Sequence, residues 1–162
     1  MKRHLILVGL PGSGKTTVGR LVAARLGLPF ADCDALVEEM AGMTIPRIFA
    51  QQGEAQFRRL EHQALLALCG GERQVIATGG GTIVEEQNRK LIRKSGFVVF
   101  LDRDIEDIEA NVGDIERPLL KTHSLRELAE QRRAWYLSCA DAVVRGGTAE
   151  ELAQKIAGWE KR

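Results

Sequence analysis

Short apolar runs recur along the chain and alternate with longer stretches of helical periodicity. Residues 4–9 (HLILVG), 28–32 (LPFAD), 74–78 (QVIAT), 97–101 (FVVFL) and 141–144 (DAVV) read as buried strands, because consecutive apolar side chains need cover on both faces of a sheet. Helices are predicted near 14–26, 35–41, 45–50, 54–69, 85–95, 104–111, 125–139 and 149–160. Ser124 with Glu127, and Thr148 with Glu151, have the S/T-x-x-E spacing of a capping box, while Gly70 and Gly96 stand where helices should stop. Strands separated by helices predict an α/β fold whose parallel sheet is covered on both faces. Such sheets bind ligands beyond the carboxyl ends of their strands, where Asp32, Thr78 and Gly79 fall.

Composition narrows the function classes. With 162 residues the chain is long enough for one domain with a real core. Lys and Arg number 23 against 22 acidic residues, a net charge of +1, so no nucleic-acid partner is expected. Apolar runs fall far short of the roughly 20 residues that span a bilayer, so no membrane partner is expected either. Met1-Lys2-Arg3 resembles the start of a signal peptide, but the following apolar stretch breaks at Gly9 and leads into a motif the protein must keep. Cys33, Cys69 and Cys139 lack zinc or C-x-x-C spacing and read as reduced thiols of a cytoplasmic protein, with Cys33 in packing. His4, His62 and His123 show no ligand spacing and are expected at the surface.

The strongest motif is "GLPGSGKTT" at 9–17, which fits G-x-x-x-x-G-K-[ST] between a strand and a helix. Glycines let the backbone wrap round phosphates, and successive N–H groups converge at a helix N-terminus. Gly12, Ser13, Gly14, Lys15, Thr16 and Thr17 therefore form a candidate nucleotide cradle. Lys15 supplies a mobile charge for the outer phosphates, and Thr16 offers its hydroxyl to Mg²⁺. The motif leaves the phosphate acceptor open.

"PFADCDALVEE" at 29–39 carries two carboxylates beside that cradle. In an extended chain Asp32 and Asp34 would share a face, where like charges need a use or a cation between them. Asp32 suits a magnesium site through its water shell. Asp34, one step further out, suits orientation of a hydroxyl nucleophile and acceptance of its proton; the plain alternative is that it caps a helix starting at Ala35. In "FRRLE" (57–61) Arg58 and Glu61 lie three apart on a helix, so the guanidinium can be fixed for a bidentate grip on a carboxylate, unless the pair is merely a surface ion pair. "TGGG" (78–81) opens the backbone of Gly79, Gly80 and Gly81 to a ligand. Arg117, before a proline in "ERPLL", suits a lid near 112–123 that brings charge onto transferring phosphate. "RRAWY" (132–136) adds Arg132 and Arg133, one of which can face solvent.

In this order the motifs resemble the shikimate kinase family nearly end to end. The resemblance implies a three-layer P-loop kinase fold with a five-stranded parallel sheet in the order 2-3-1-4-5. It also implies transfer of the ATP γ-phosphate to the 3-hydroxyl of shikimate. On that reading Lys15, Asp34 and Arg117 are catalytic, and Asp32 reaches Mg²⁺ through water. Arg58 and Arg132 clamp the shikimate carboxylate, Arg132 being chosen because the family arginine lies four before the tyrosine, here Tyr136. The glycines at 79–81 support the ring hydroxyls. Ile45, Phe49, Phe57 and Leu119 match apolar positions of the substrate pocket, though by themselves they read as core. The resemblance further implies substrate-binding helices over about 35–69, and the protein is expected to be a monomer.

The chain departs from the family where adenine is held. Glu109-Ala110-Asn111 replaces an arginine at the start of the lid, the connection after Arg117 is short, and "VVRGGT" places Arg145 where an aspartate is usual. Arg145 is therefore expected to bind the nucleotide by covering the base. Two rival readings are a kinase of another polyhydroxy acid, such as gluconate, and a nucleotide-binding regulatory module with weak catalysis.

Overall fold

A computed structural model describes residues 3–112 and 124–160. Strands β1 (His4–Val8), β2 (Phe30–Asp32), β3 (Val75–Ala77), β4 (Gly96–Leu101) and β5 (Ala142–Val144) form one parallel sheet in the order β2-β3-β1-β4-β5. The helices between and after them are α1 (Lys15–Leu26), α2 (Cys33–Ala41), α3 (Ile45–Gln52), α4 (Glu54–Gly70), α5 (Glu86–Ser95), α6 (Ile105–Val112), α7 (Leu125–Cys139) and α8 (Ala149–Glu160). Alternation along β1 explains the three layers. Leu5 and Leu7 pack with Val75, Val99 and Leu101 against α1 and α8, through Val18, Val22, Leu152 and Ile156. Ile6 and Val8 face the other way, with Ile76 and Phe100, onto Val37, Leu65, Ile92 and Tyr136 from α2, α4, α5 and α7. The hydroxyl half of both predicted capping boxes is seen: the Ser124 hydroxyl accepts the Glu127 N–H at 3.1 Å, and that of Thr148 accepts the Glu151 N–H at 3.2 Å.

Four expectations need correction. The strand runs at 28–32 and 141–144 are not buried like the others: β2 is half-buried and Val143 of β5 is exposed. They are the two edges of the sheet, covered by a neighbouring strand on one side only. His4 is buried, because it opens the central strand, and its Nε2 lies 2.9 Å from the Cys69 carbonyl oxygen. His62 is half-buried, with Nδ1 2.6 Å from Asn88 Oδ1. Finally, α2 starts at Cys33, two residues before its predicted start at Ala35, so Asp32 and Asp34 do not alternate along one strand. Asp32 itself is the cap: its Oδ1 accepts the N–H groups of Asp34 at 2.9 Å and Ala35 at 3.3 Å. The three cysteines are free and buried, in keeping with packing thiols.

Candidate active site

The segment between β1 and α1 wraps into a loop at the carboxyl edge of the sheet. Gly12 and Gly14 hold φ of 80° and 94°, backbone that a side chain would strain, and Gly14 caps α1 with no side-chain partner for the helix N–H groups. No acidic residue lies in the first turn of α1, which leaves that end of the helix ready for an anion. Lys15 is buried within the loop, its Nζ donating to the carbonyls of Gly9 at 2.7 Å and Leu10 at 2.8 Å.

Both aspartates reach this loop by different routes. The Thr16 hydroxyl donates to Asp32 Oδ2 at 2.7 Å, so one carboxylate joins α1 to the start of α2. Asp34, in the first turn of α2, borders with Asp32, Lys15, Thr16 and Thr17 a cleft of about 500 Å³. A hydroxyl and one carboxylate at the mouth of a phosphate cradle are hard oxygen donors, few in number, which fits a magnesium ion that keeps most of its water.

The glycine turn after β3 forms the far wall. Each of its glycines lies against a close neighbour. A Cβ at Gly79 would come within 2.6 Å of Asp34 Oδ1, one at Gly80 within 2.5 Å of the Pro11 ring, and one at Gly81 within 2.7 Å of the Arg58 guanidinium. The turn thus lets Asp34, the cradle and Arg58 converge. The Gly80 carbonyl accepts the Tyr136 hydroxyl at 2.5 Å, and burial pushes that phenol up to about 12, so it remains a neutral donor.

Beyond the turn lies a second cleft of about 740 Å³, bordered by Arg58, His62, Arg132 and Trp135 among others. Arg58 is fixed: its Nη1 donates to Glu61 Oε1 at 2.8 Å and to the Gly81 carbonyl at 3.1 Å. Glu61 is 1% exposed, and its other oxygen accepts the Thr82 hydroxyl at 3.1 Å. The 3₁₀ turn Thr82–Val84 that presents this hydroxyl carried no recognisable signal in the sequence. Arg132 is only 5% exposed, and its Nη1 is buried with no hydrogen-bond partner among the described residues. An unpartnered buried guanidinium donor is costly unless an anion completes it.

Several expected residues are not brought into these clefts. Arg133 points away and donates to Asp102 Oδ1 at 2.7 Å. Arg145 does not border the cradle cleft; its Nε lies 3.1 Å from Asp102 Oδ2 and its side chain is 67% exposed. Phe49 and Phe57 form a tilted ring pair 4.8 Å apart, Phe57 lies in the core, and Ile45 packs on its edge; none of the three borders either cleft. Phe57 instead backs Arg58, whose guanidinium carbon is 5.2 Å from the ring centroid. Arg117 and Leu119, with the predicted lid from residue 113 onward, lie outside the described residues. Sequence reasoning missed Arg103, which borders the cradle cleft from the end of β4. Its place at the carboxyl end of a strand was the signal that pointed to it.

The sheet order and the cradle after β1 define a P-loop protein of the kinase type. The family model described as shikimate kinase matches residues 11–159. A shikimate kinase of Symbiobacterium thermophilum is 47% identical over 85% of this chain and 83% of its own length. One from Geobacter sulfurreducens is 44% identical over 95% of this chain and 86% of its own. The solved shikimate kinase of Acinetobacter baumannii in complex with shikimate superposes with a TM-score of 0.94 at 36% identity, covering 99% of this chain and 94% of that one. The chain belongs to the shikimate kinase family.

Proposed function

We propose that the protein transfers the γ-phosphate of ATP to the 3-hydroxyl of shikimate, giving shikimate 3-phosphate and ADP. Family membership supports the activity, and the observation that carries the acceptor is the pair of arginines beside the glycine turn. Arg58 is held by a buried glutamate, and Arg132 carries an uncompensated buried donor on the same cleft. Two guanidinium groups on one cleft suit a planar carboxylate. The cradle from Gly12 to Thr17 takes the phosphates; Ser13 within it is buried and does not border the cleft. Asp34 orients the acceptor hydroxyl and takes its proton, while the glycine turn sets the distance between that carboxylate and Arg58. Arg117 carries charge onto the transferring phosphate from the lid, a role that rests on its sequence motif. No helix among the described residues is long and apolar enough to cross a membrane.

Mg²⁺ is the metal this site suits, held by the Thr16 hydroxyl and, through water, by Asp32. When bound it supplies positive charge to the outer phosphate oxygens. Because Asp32 also caps α2, Asp32→Ala would confuse metal binding with stability, at about 1 kcal/mol for the lost cap. Asp32→Asn retains a good cap and loses the charge. Its activity should fall and recover in part as Mg²⁺ is raised, with the melting temperature near that of the unaltered protein. A loss indifferent to Mg²⁺ would remove Asp32 from the metal site.

The direct test is release of ADP by purified protein supplied with shikimate, with gluconate, or with no acceptor. Release should depend on shikimate. Equal release with gluconate would favour a wider polyhydroxy-acid kinase, and release in no condition would favour a regulatory module.

A further inference from the structure

We infer that Arg103, rather than Arg145, supplies a guanidinium to the nucleotide site, holding the inner phosphate and nucleoside end of ATP between the cradle and the β5–α8 turn. This rests on the phosphotransfer reading above and assigns a residue of that site. Arg103 lies just past the end of β4 and borders the cradle cleft between Gly12, Gly14 and Thr17 on one side and Thr148 and Ala149 on the other. Its Nη1 donates to the Gly147 carbonyl at 3.0 Å, which aims the group across the cleft mouth. A Cβ at Gly14 would sit 3.8 Å from its Nη2, so the guanidinium stands against the backbone that opens α1. Its Nε is buried with no hydrogen-bond partner, and no ion pair of Arg103 is found among the described residues.

The electrostatics give this placement a meaning. A cation beside a helix N-terminus is disfavoured, since both carry positive charge. Here α1 has no acidic residue in its first turn, and Lys15 adds further positive charge. Arg103 has an acidic neighbour in sequence on each side: Asp102 is occupied, pairing with Arg133 at 2.7 Å and with Arg145 at 3.1 Å, and Asp104 forms no ion pair with Arg103 among the described residues. That double pairing anchors Arg145 in a neighbouring cleft that Arg103 borders as well; of the two arginines only Arg103 also borders the cradle cleft, and its charge is left to be balanced by something that enters the site. A nucleotide lying in the cradle brings an inner phosphate past Gly14, and its base offers a face on which a guanidinium stacks.

The test is calorimetric titration of ADP, without acceptor, into the unaltered protein and into Arg103→Ala, Arg103→Gln and Arg145→Ala, with shikimate titrated separately. Arg103→Ala should weaken ADP binding about tenfold or more and leave shikimate affinity within about twofold, while Arg145→Ala changes ADP affinity less than about twofold. Arg103→Gln keeps a donor for the Gly147 carbonyl and loses the charge, so it should weaken ADP similarly even if the alanine variant folds poorly. Unchanged ADP affinity in Arg103→Gln, or a larger loss in Arg145→Ala, overturns the assignment while leaving phosphotransfer intact. Failure of the unaltered protein to bind ADP would instead overturn both.

Discussion

Asp34→Asn should bind shikimate and ATP but turn over about a hundredfold or more slowly, the range expected when a positioned general base is lost. The substitution keeps the shape of the side chain, and shape matters here. The Asp34 carboxylate occupies the space a Cβ at Gly79 would fill, so the turn is built around it. The rival explanation, that Asp34 serves as a helix cap, has been taken by its neighbour: Asp32 accepts the first N–H groups of α2. No cap is therefore lost in Asp34→Asn, and a kcat that survives would mean the proton leaves by another route. A raised KM for shikimate with kcat unchanged would point to binding rather than base catalysis.

Removal of either arginine should raise the KM for shikimate by about 10- to 100-fold and that for ATP by far less, as charge-assisted hydrogen bonds of about 1.5–3 kcal/mol are lost. The two variants should differ in stability, and in a direction the geometry sets. Arg58→Ala leaves Glu61, 1% exposed, with only the Thr82 hydroxyl and should lower the melting temperature of the ligand-free protein. Arg132→Ala removes an Nη1 donor that has no hydrogen-bond partner among the described residues and strands no buried carboxylate, so the ligand-free protein should lose less stability than Arg58→Ala does. Arg58→Lys should be nearly as poor as alanine toward shikimate, because a point charge does not replace the fork that meets Glu61 and the Gly81 carbonyl together. Equal effects on the two substrates would dissolve the clamp. Thermal unfolding with and without shikimate separates the stability argument from the binding one.

The element pattern was legible because it depends on local chemistry. Apolar runs, capping boxes and the glycine cradle each announce themselves within a few residues, and five strands and eight helices lie close to where those signals put them. The choice of Arg132 over Arg133 came from its spacing to Tyr136 within the family pattern, and only the packing of α7 decides which way each side chain turns. Arg132 turns inward beside Arg58, and Arg133 turns out to Asp102.

What the chain alone determined, then, is the order of its elements and the residue types at their ends: a cradle after the first strand, carboxylates after the second, glycines after the third. Tertiary structure decided everything that needs two distant segments to meet. It showed that β2 and β5 are edges, since apolar runs do not record how many neighbours a strand has. It placed each glycine of 79–81 against a different partner, Asp34, Pro11 and Arg58, none of them adjacent in sequence. It divided the arginines of the nucleotide side, because a carboxylate compensates only the cations it can reach. Asp102 reaches Arg133 and Arg145, and Arg103 is left facing the cradle.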